Sequence, residues 1–265
     1  MGEIGVNKLF FHNEKVKNIL NTIKLNYEKP DTSYPVSVEL SLTNRCNLKC
    51  VWCVDWHLRK LDKSEIEFDI LKKLILDLER GGTKGITIEG GGEPTCYSHF
   101  KELMKIIENV NIKFGLITNG VMIPYIDHIE KFEWIRVSID VDSEDNYHKY
   151  KKGNRKDYNN LFKNLHKLVI ASKKRTVIGA SYIATKYNMD NIISVIKKVR
   201  DIGVDYFYIR PVEDYELLLP SEDCFKGLEK YSTDKFRMLV NYSDRLICGN
   251  LGLPCVSHSL SSVIT

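Results

Sequence analysis

Residues 35–53 read PVSVELSLTNRCNLKCVWC, and this stretch decides the fold. Its first half, Pro35 to Leu42, alternates apolar and polar residues as a β-strand does. Its second half places Cys46, Cys50 and Cys53 on the loop that directly follows. Three thiols are too many for one disulfide and one short of a closed tetrahedral metal site. Random placement of seven cysteines in 265 residues would rarely produce such a triplet, so it asks for a chemical reason.

Outward from the cysteine loop, a strand-then-helix rhythm repeats. Ser64 to Glu67 has the spacing of a capping box, opening a helix with Ile70, Leu71, Leu74, Ile75 and Leu78 on one face and a stop at Gly81-Gly82. A strand at 85–89 ends in the glycines of GGGEP. A helix near 98–110 leads to a strand at 112–118, which breaks at Asn119-Gly120. A strand at 134–140 is followed by the polar loop DSEDNYHKYKKGNRKDY. Helices near 158–173 and 189–201 feed strands at 176–184 and 205–211. Strands that alternate with helices imply a parallel sheet, because each parallel return needs a crossover. The fold class is α/β. The rhythm alone fits an open barrel or a flat doubly wound sheet, and in both the loops after the strands form the functional face.

The chain divides into three parts. Residues 1–35 carry an amphipathic helical pattern (Val6, Leu9, Phe10, Val16, Ile19, Leu20, Ile23) that ends at Lys29-Pro30-Asp31. Residues 36–212 hold the six βα steps, and residues 213–265 form a small appendage without a clear βα unit. Hydrophobic content of 43% and charged content of 28% are those of an ordinary globular protein. A net charge of +4 gives no reason to expect a nucleic-acid surface. No run approaches the ~18 apolar residues of a membrane span, and the charged N-terminus lacks a signal-peptide core. The expected location is the cytoplasm, where thiols stay free for metal or cofactor binding.

Three uses of the triplet compete: inert thiols, a zinc clip completed by His57, and a cubane cluster with one iron left open. Cys46-Asn47-Leu48-Lys49-Cys50-Val51-Trp52-Cys53 resembles the C-x3-C-x-aromatic-C signature of the radical SAM superfamily. Gly91-Gly92-Glu93-Pro94, about one helix-plus-strand unit further on, resembles that family's GGEP motif. The resemblance covers roughly residues 36–212. It implies a partial (β/α)6 TIM-like barrel, a 4Fe–4S cluster on the three cysteines, and S-adenosylmethionine at the open iron. It also implies the chemistry: one electron cleaves the sulfonium, and a 5′-deoxyadenosyl radical takes a hydrogen atom from the substrate.

Site roles come from the same resemblance. Trp52 would lie near the adenine, and the loop of Gly91, Gly92 and Glu93 would hold the methionine amino group. Thr118 and Asn119 match the family's third-strand ending. Ser138 and Asp140 match the fourth-strand segment that reaches ribose or methionine, with turn and cap chemistry as the alternative. Ser181 and Arg210 are polar candidates pointing into the barrel, and Arg210 equally suits a structural salt bridge. The stretch from Cys255 looks like the opening of a SPASM or twitch extension, which makes Cys248 and Cys255 candidates for an auxiliary cluster. Here the expected downstream glycine and cysteine do not follow. Partners implied are an electron donor such as flavodoxin or ferredoxin, and a substrate that is a small molecule (sugar, aminocyclitol or nucleotide-linked) or a peptide. The short stretch before the first strand tilts the expectation toward a small molecule.

Overall fold

The structure is a computed structural model that describes residues 17, 34–173, 175–213 and 215–242, and the backbone of 261–264. The expected N-terminal helix falls outside these residues except at Lys17, and Cys248 and Cys255 fall outside them too. Eight strands form one sheet in the order β7-β6-β5-β4-β3-β2-β1-β8. They are β1 (Ser37–Leu40), β2 (Gly85–Ile88), β3 (Lys113–Thr118), β4 (Phe132–Ser138), β5 (Val177–Ala184), β6 (Tyr206–Pro211), β7 (Arg237–Val240) and β8 (Ser261–Ile264). Every pairing is parallel. The first six strands follow chain order, as successive crossovers of one hand require. The sheet is open at β7 and β8, which agrees with a partial barrel.

The helices are α1 (Trp56–Leu61), α2 (Phe68–Arg80), α3 (Phe100–Ile107), α4 (Arg155–Ser172) and α5 (Ile192–Ile202). One parity of each strand packs under them: Leu40, Ile88, Leu116, Val137, Ala180 and Phe207 are 0–1% exposed. The opposite parity, with Ile117, Ser138, Ile183 and Arg210, faces a cavity at the strand ends. Period-two alternation thus separates core from lumen along most of each strand, with Thr118 of the core parity reaching the cavity at the end of β3.

Several local expectations are corrected. The tail does supply strands: β7 pairs with β6 and β8 with β1, lengthening both edges of the sheet. The capping box does not form. Ser64 donates its hydroxyl to Asp62 at 2.6 Å, and Glu67 caps α2 without a side-chain bond. Ile70 is 59% exposed, so the buried face of α2 is Leu71, Ile75 and Leu78. The polar loop after β4 contains a helical segment at 144–151, opened by Ser143, whose hydroxyl accepts from the Asn146 amide. Among the described residues, no helix is long and apolar enough to cross a membrane.

Candidate active site

The ends of β3 to β6 and the loops that follow β1, β2, β3, β4 and β6 converge on a cavity of about 230 Å³. Its lining includes Cys46, Cys50, Trp52, Cys53 and the loop Gly91-Gly92-Glu93. Thr118, Asn119, Ser138, Asp140 and Arg210 line it as well. Ser181 is buried and paired in register with Ser138 on the neighbouring strand, but is not part of the lining.

Backbone hydrogen bonds tie the glycine loop to the cysteine loop. The Gly92 amide donates to the Thr43 carbonyl at 2.6 Å, and the Glu93 amide donates to the Arg45 carbonyl at 2.8 Å. This approach is why glycine is needed: a Cβ on Gly92 would lie 2.0 Å from the Arg45 carbonyl oxygen. At Gly91, φ is +55° and a Cβ would meet the Ser41 hydroxyl at 2.4 Å. The glycines serve the joining of two loops.

Glu93 is 3% exposed, and both of its carboxylate oxygens accept from protein donors. Thr95 and Thr118 hydroxyls donate to Oε1 at 2.8 and 2.6 Å, and the Asn119 amide donates to Oε2 at 2.7 Å. Burial pushes this carboxyl up, against the bonds from Thr118, Asn119 and Thr95. Asn119 continues the chain of contacts by donating its side-chain amide to Asn47 Oδ1 at 2.7 Å, inside the cysteine loop. Glu93 therefore couples the second and third strand ends. In the Glu93→Gln variant, an amide N–H would face the Asn119 N–H. The expected loss of stability is about 1–3 kcal/mol, the usual cost of a buried donor left without an acceptor. Urea unfolding checks this, and an unchanged midpoint would contradict it.

Asp140 is likewise committed. It sits at φ +61°, 3% exposed, and accepts from the Ile183 amide at Oδ1 (2.8 Å) and from Lys151 Nζ at Oδ2 (3.1 Å). Lys151 also donates to the carbonyls of Ser138 (2.7 Å) and Ile139 (3.2 Å). Burial alone would lower the Lys151 pKa. Asp140, with Cys50 and Tyr147, outweighs that and holds it above the usual lysine range. The backbone around Lys151 grips the cysteine loop: its carbonyl accepts from the Lys49 amide at 3.0 Å, and that of Tyr150 accepts from the Val51 amide at 2.9 Å. Burial pushes the Cys50 thiol up to about 12, though Lys151 opposes the shift. Arg210 forms an ion pair with Glu213 at 2.9 Å on the rim of the cavity. Trp52 is 4% exposed, with Tyr150 beside it at 6.0 Å between ring centroids.

Sequence reasoning missed four residues of this neighbourhood. Lys151 hid in a run of charges, and Asn47 was passed over inside the motif. Arg59 lies on α1, lines the cavity and donates to Cys53 Sγ at 3.1 Å. Tyr215 donates its hydroxyl to the Cys53 carbonyl at 3.0 Å. Among the described residues, no three His, Cys, Asp or Glu side chains converge to hold a single ion, and His57 is exposed. A zinc clip on Cys46, Cys50, Cys53 and His57 is therefore not favoured. The donor set fits a cluster in which each thiolate meets its own iron: three sulfurs share one cavity, and the buried Arg59 Nε has no partner there.

Thiolates one short of closing a cluster, set at the strand ends of an open parallel barrel, define the class: enzymes in which an iron–sulfur cluster acts on S-adenosylmethionine. The chain belongs to the radical SAM superfamily, whose family model matches residues 40–199, well over half of the chain. That family uses a 4Fe–4S cluster and S-adenosylmethionine. The chain is 24% identical over 182 residues to the sporulation killing factor maturation protein SkfB of Bacillus subtilis, covering 67% of this chain and 42% of that protein. It is 27% identical over 174 residues to a probable GTP 3′,8-cyclase of Methanocaldococcus jannaschii, covering 63% and 56%. Among solved structures, Streptococcus suis SuiB bound to S-adenosylmethionine superposes with a TM-score of 0.66 at 15% identity, over 91% of this chain and 57% of that one. The chain spans between 22% and 56% of the length of such curated relatives.

Proposed function

We propose that the protein is a radical SAM enzyme that cleaves S-adenosylmethionine reductively and abstracts a hydrogen atom from a peptide substrate. The observation that carries the chemistry is the convergence of Cys46, Cys50 and Cys53 with the Gly91-Gly92-Glu93 loop on one cavity. When bound, the cluster and S-adenosylmethionine supply a 5′-deoxyadenosyl radical.

The chain's own residues divide the remaining work. The three thiolates hold the cluster, and the Lys49 and Val51 amides fix the backbone on either side of Cys50. Glu93, Thr118 and Asn119 keep the glycine loop in register with the third strand end, so their role is to position the loop. The Ser138 hydroxyl lines the cavity without a hydrogen-bond partner among the described residues, and we assign it as a contact to S-adenosylmethionine. Trp52 forms an apolar wall for the adenine. Arg210 and Glu213 form a charged lip.

A peptide substrate is supported by the similarity to SkfB, named for maturation of a killing factor, and by the fold shared with SuiB, whose structure with its precursor peptide SuiA superposes with a TM-score of 0.66. The GTP cyclase similarity favours the second reading, a small nucleotide-linked substrate. Deuterium transfer separates the two. Reconstituted protein is incubated under reduction with uniformly deuterated peptides, or with deuterated nucleotides. Deuterated 5′-deoxyadenosine is expected from a peptide only. Label arriving only from a nucleotide would overturn the peptide reading, and absence of 5′-deoxyadenosine under all conditions would overturn the chemistry.

A further inference from the structure

Arg59 is, among the described residues, the cavity-lining guanidinium hydrogen-bonded to a cysteine sulfur. It lies on the short helix that leaves the cysteine loop, six residues after Cys53. The loop folds back on itself there: the Trp56 amide donates to the Cys53 carbonyl at 3.2 Å, and the Arg59 amide to the Asp55 carbonyl at 2.9 Å. This turn brings Arg59 Nη2 to 3.1 Å from Cys53 Sγ. The residue is only 3% exposed, although an arginine at a helix surface normally keeps its head in water. The Trp56 ring lies 5.9 Å from the guanidinium carbon. Asp55 also lines the cavity, and burial pushes its carboxyl up while Arg59 pulls it down. Arg59 Nε is buried and has no partner among the described residues. A buried donor without an acceptor is destabilising. A group that accepts at this point would remove that cost.

We propose that Arg59 is a positioning residue that sets the reduction potential of the cluster, by donating to the Cys53 thiolate from Nη2 and toward the cluster from Nε. This inference rests on the cluster-binding reading above. Its physics is direct. Adding one electron makes the cluster more negative, and a buried cation hydrogen-bonded to one of its sulfurs stabilises that state. Hydrogen bonds to sulfur and net charge are among the factors that set such potentials. Salt and solvent screen the interaction little, because Arg59 is buried. Arg59 therefore raises the midpoint, making the cluster easier to reduce by a weak one-electron donor. Tyr215, which donates its hydroxyl to the Cys53 carbonyl, adds a neutral dipole on the same cysteine.

The test is a redox titration followed by electron paramagnetic resonance on reconstituted protein, without S-adenosylmethionine or substrate. At the wild-type midpoint, Arg59→Met is expected to lower the ratio of reduced to oxidised cluster about tenfold, which is ~59 mV for a one-electron couple. Arg59→Lys keeps the charge and is expected to recover most of that ratio. Arg59→Gln is read in parallel in case Arg59→Met does not load. A ratio within twofold of wild type in Arg59→Met, or no difference between the lysine and methionine variants, would overturn the proposal. So would failure of both neutral variants to hold a cluster, since that assigns Arg59 to assembly. A wild-type protein that holds no cluster at all would instead defeat the proposed function, so the two failures are distinguishable.

Discussion

Cys50→Ala is expected to reduce cleavage of S-adenosylmethionine to the level of the reagent blank, while leaving the fold nearly intact. Cys50 is the middle of the three proposed ligands, and the residues on either side of it are tied to the loop after β4. The Lys49 amide before it donates to Lys151, and the Val51 amide after it donates to Tyr150. The loop therefore stays where it is when the thiol is removed. What disappears is the third sulfur, and two thiolates do not retain a cubane at full occupancy. The structural cost is small. With its thiol pushed up to about 12, Cys50 without a cluster is a neutral, small, apolar side chain at neutral pH. Truncation to alanine costs on the order of 1 kcal/mol. Iron and sulfide analysis, 5′-deoxyadenosine formation and urea unfolding, measured on the same preparation, check each part. Wild-type cleavage by the variant would refute the ligand assignment. Loss of the folded state would show that the loop depends on the thiol itself.

Lys151→Met carries the second large effect, and here the expectation is reversed: stability suffers first. Lys151 and Asp140 form a buried ion pair, with side chains only 1% and 4% exposed. Removing one partner of such a pair leaves an uncompensated charge and costs about 3–5 kcal/mol. Three acceptors lose their donor together: Asp140 Oδ2 and the carbonyls of Ser138 and Ile139. Those carbonyls lie at the last residue of β4 and the one after it, so the cavity wall bearing Ser138 is expected to loosen. The cysteine loop is expected to follow, because its amides rest on the backbone of Tyr150 and Lys151. Combining Lys151→Met with Asp140→Asn should recover part of the loss, because the double variant removes the stranded carboxylate. Denaturant unfolding of the three variants closes the cycle. A loss below about 1 kcal/mol for Lys151→Met would show that the pair is solvated and not a structural anchor.

These two residues mark how far the sequence could be read. The cysteine motif and the βα rhythm were legible because both are local. A strand such as Val177–Ala184 or a helix such as Ile192–Ile202 declares itself through its own periodicity. The convergence of the cysteine and glycine loops was also legible, since the ends of parallel strands all lie on one face. What stayed hidden depends on partners distant in the chain. Lys151 belongs to a run, HKYKKG, that looks like a solvated charged loop, and only the fold brings the end of β4 over its ammonium. Arg59 shows in the sequence only as a basic residue on a short helix. Its burial follows from the turn after Cys53.

Short strands were hidden for another reason. Arg237–Val240 has four residues, too few for a period, and becomes a strand only because β6 offers an unpaired edge. The capping box at Ser64 failed because the helix starts only at Phe68: the backbone of Ser64 and Ile66 bonds instead to Asn44 and Leu42 after β1. The role of Glu93 was legible only in part. The motif drew attention to the residue, yet its carboxylate is engaged by Thr95, Thr118 and Asn119, so it orders the loop from behind. The glycines beside it have the same character: the backbone of Arg45 occupies the space that a side chain on Gly92 would need.

If Cys46, Cys50 and Cys53 hold a cluster with one iron open to S-adenosylmethionine in the cavity lined by the glycine loop, adding the sulfonium must perturb that cluster. The most direct test is the electron paramagnetic resonance spectrum of the anaerobically reconstituted, reduced protein, recorded before and after S-adenosylmethionine is added. The expected result is a reduced 4Fe–4S signal whose g-values move on addition, and no cluster signal in Cys50→Ala. A signal that S-adenosylmethionine leaves unchanged, or one that persists at full intensity without Cys50, would contradict it.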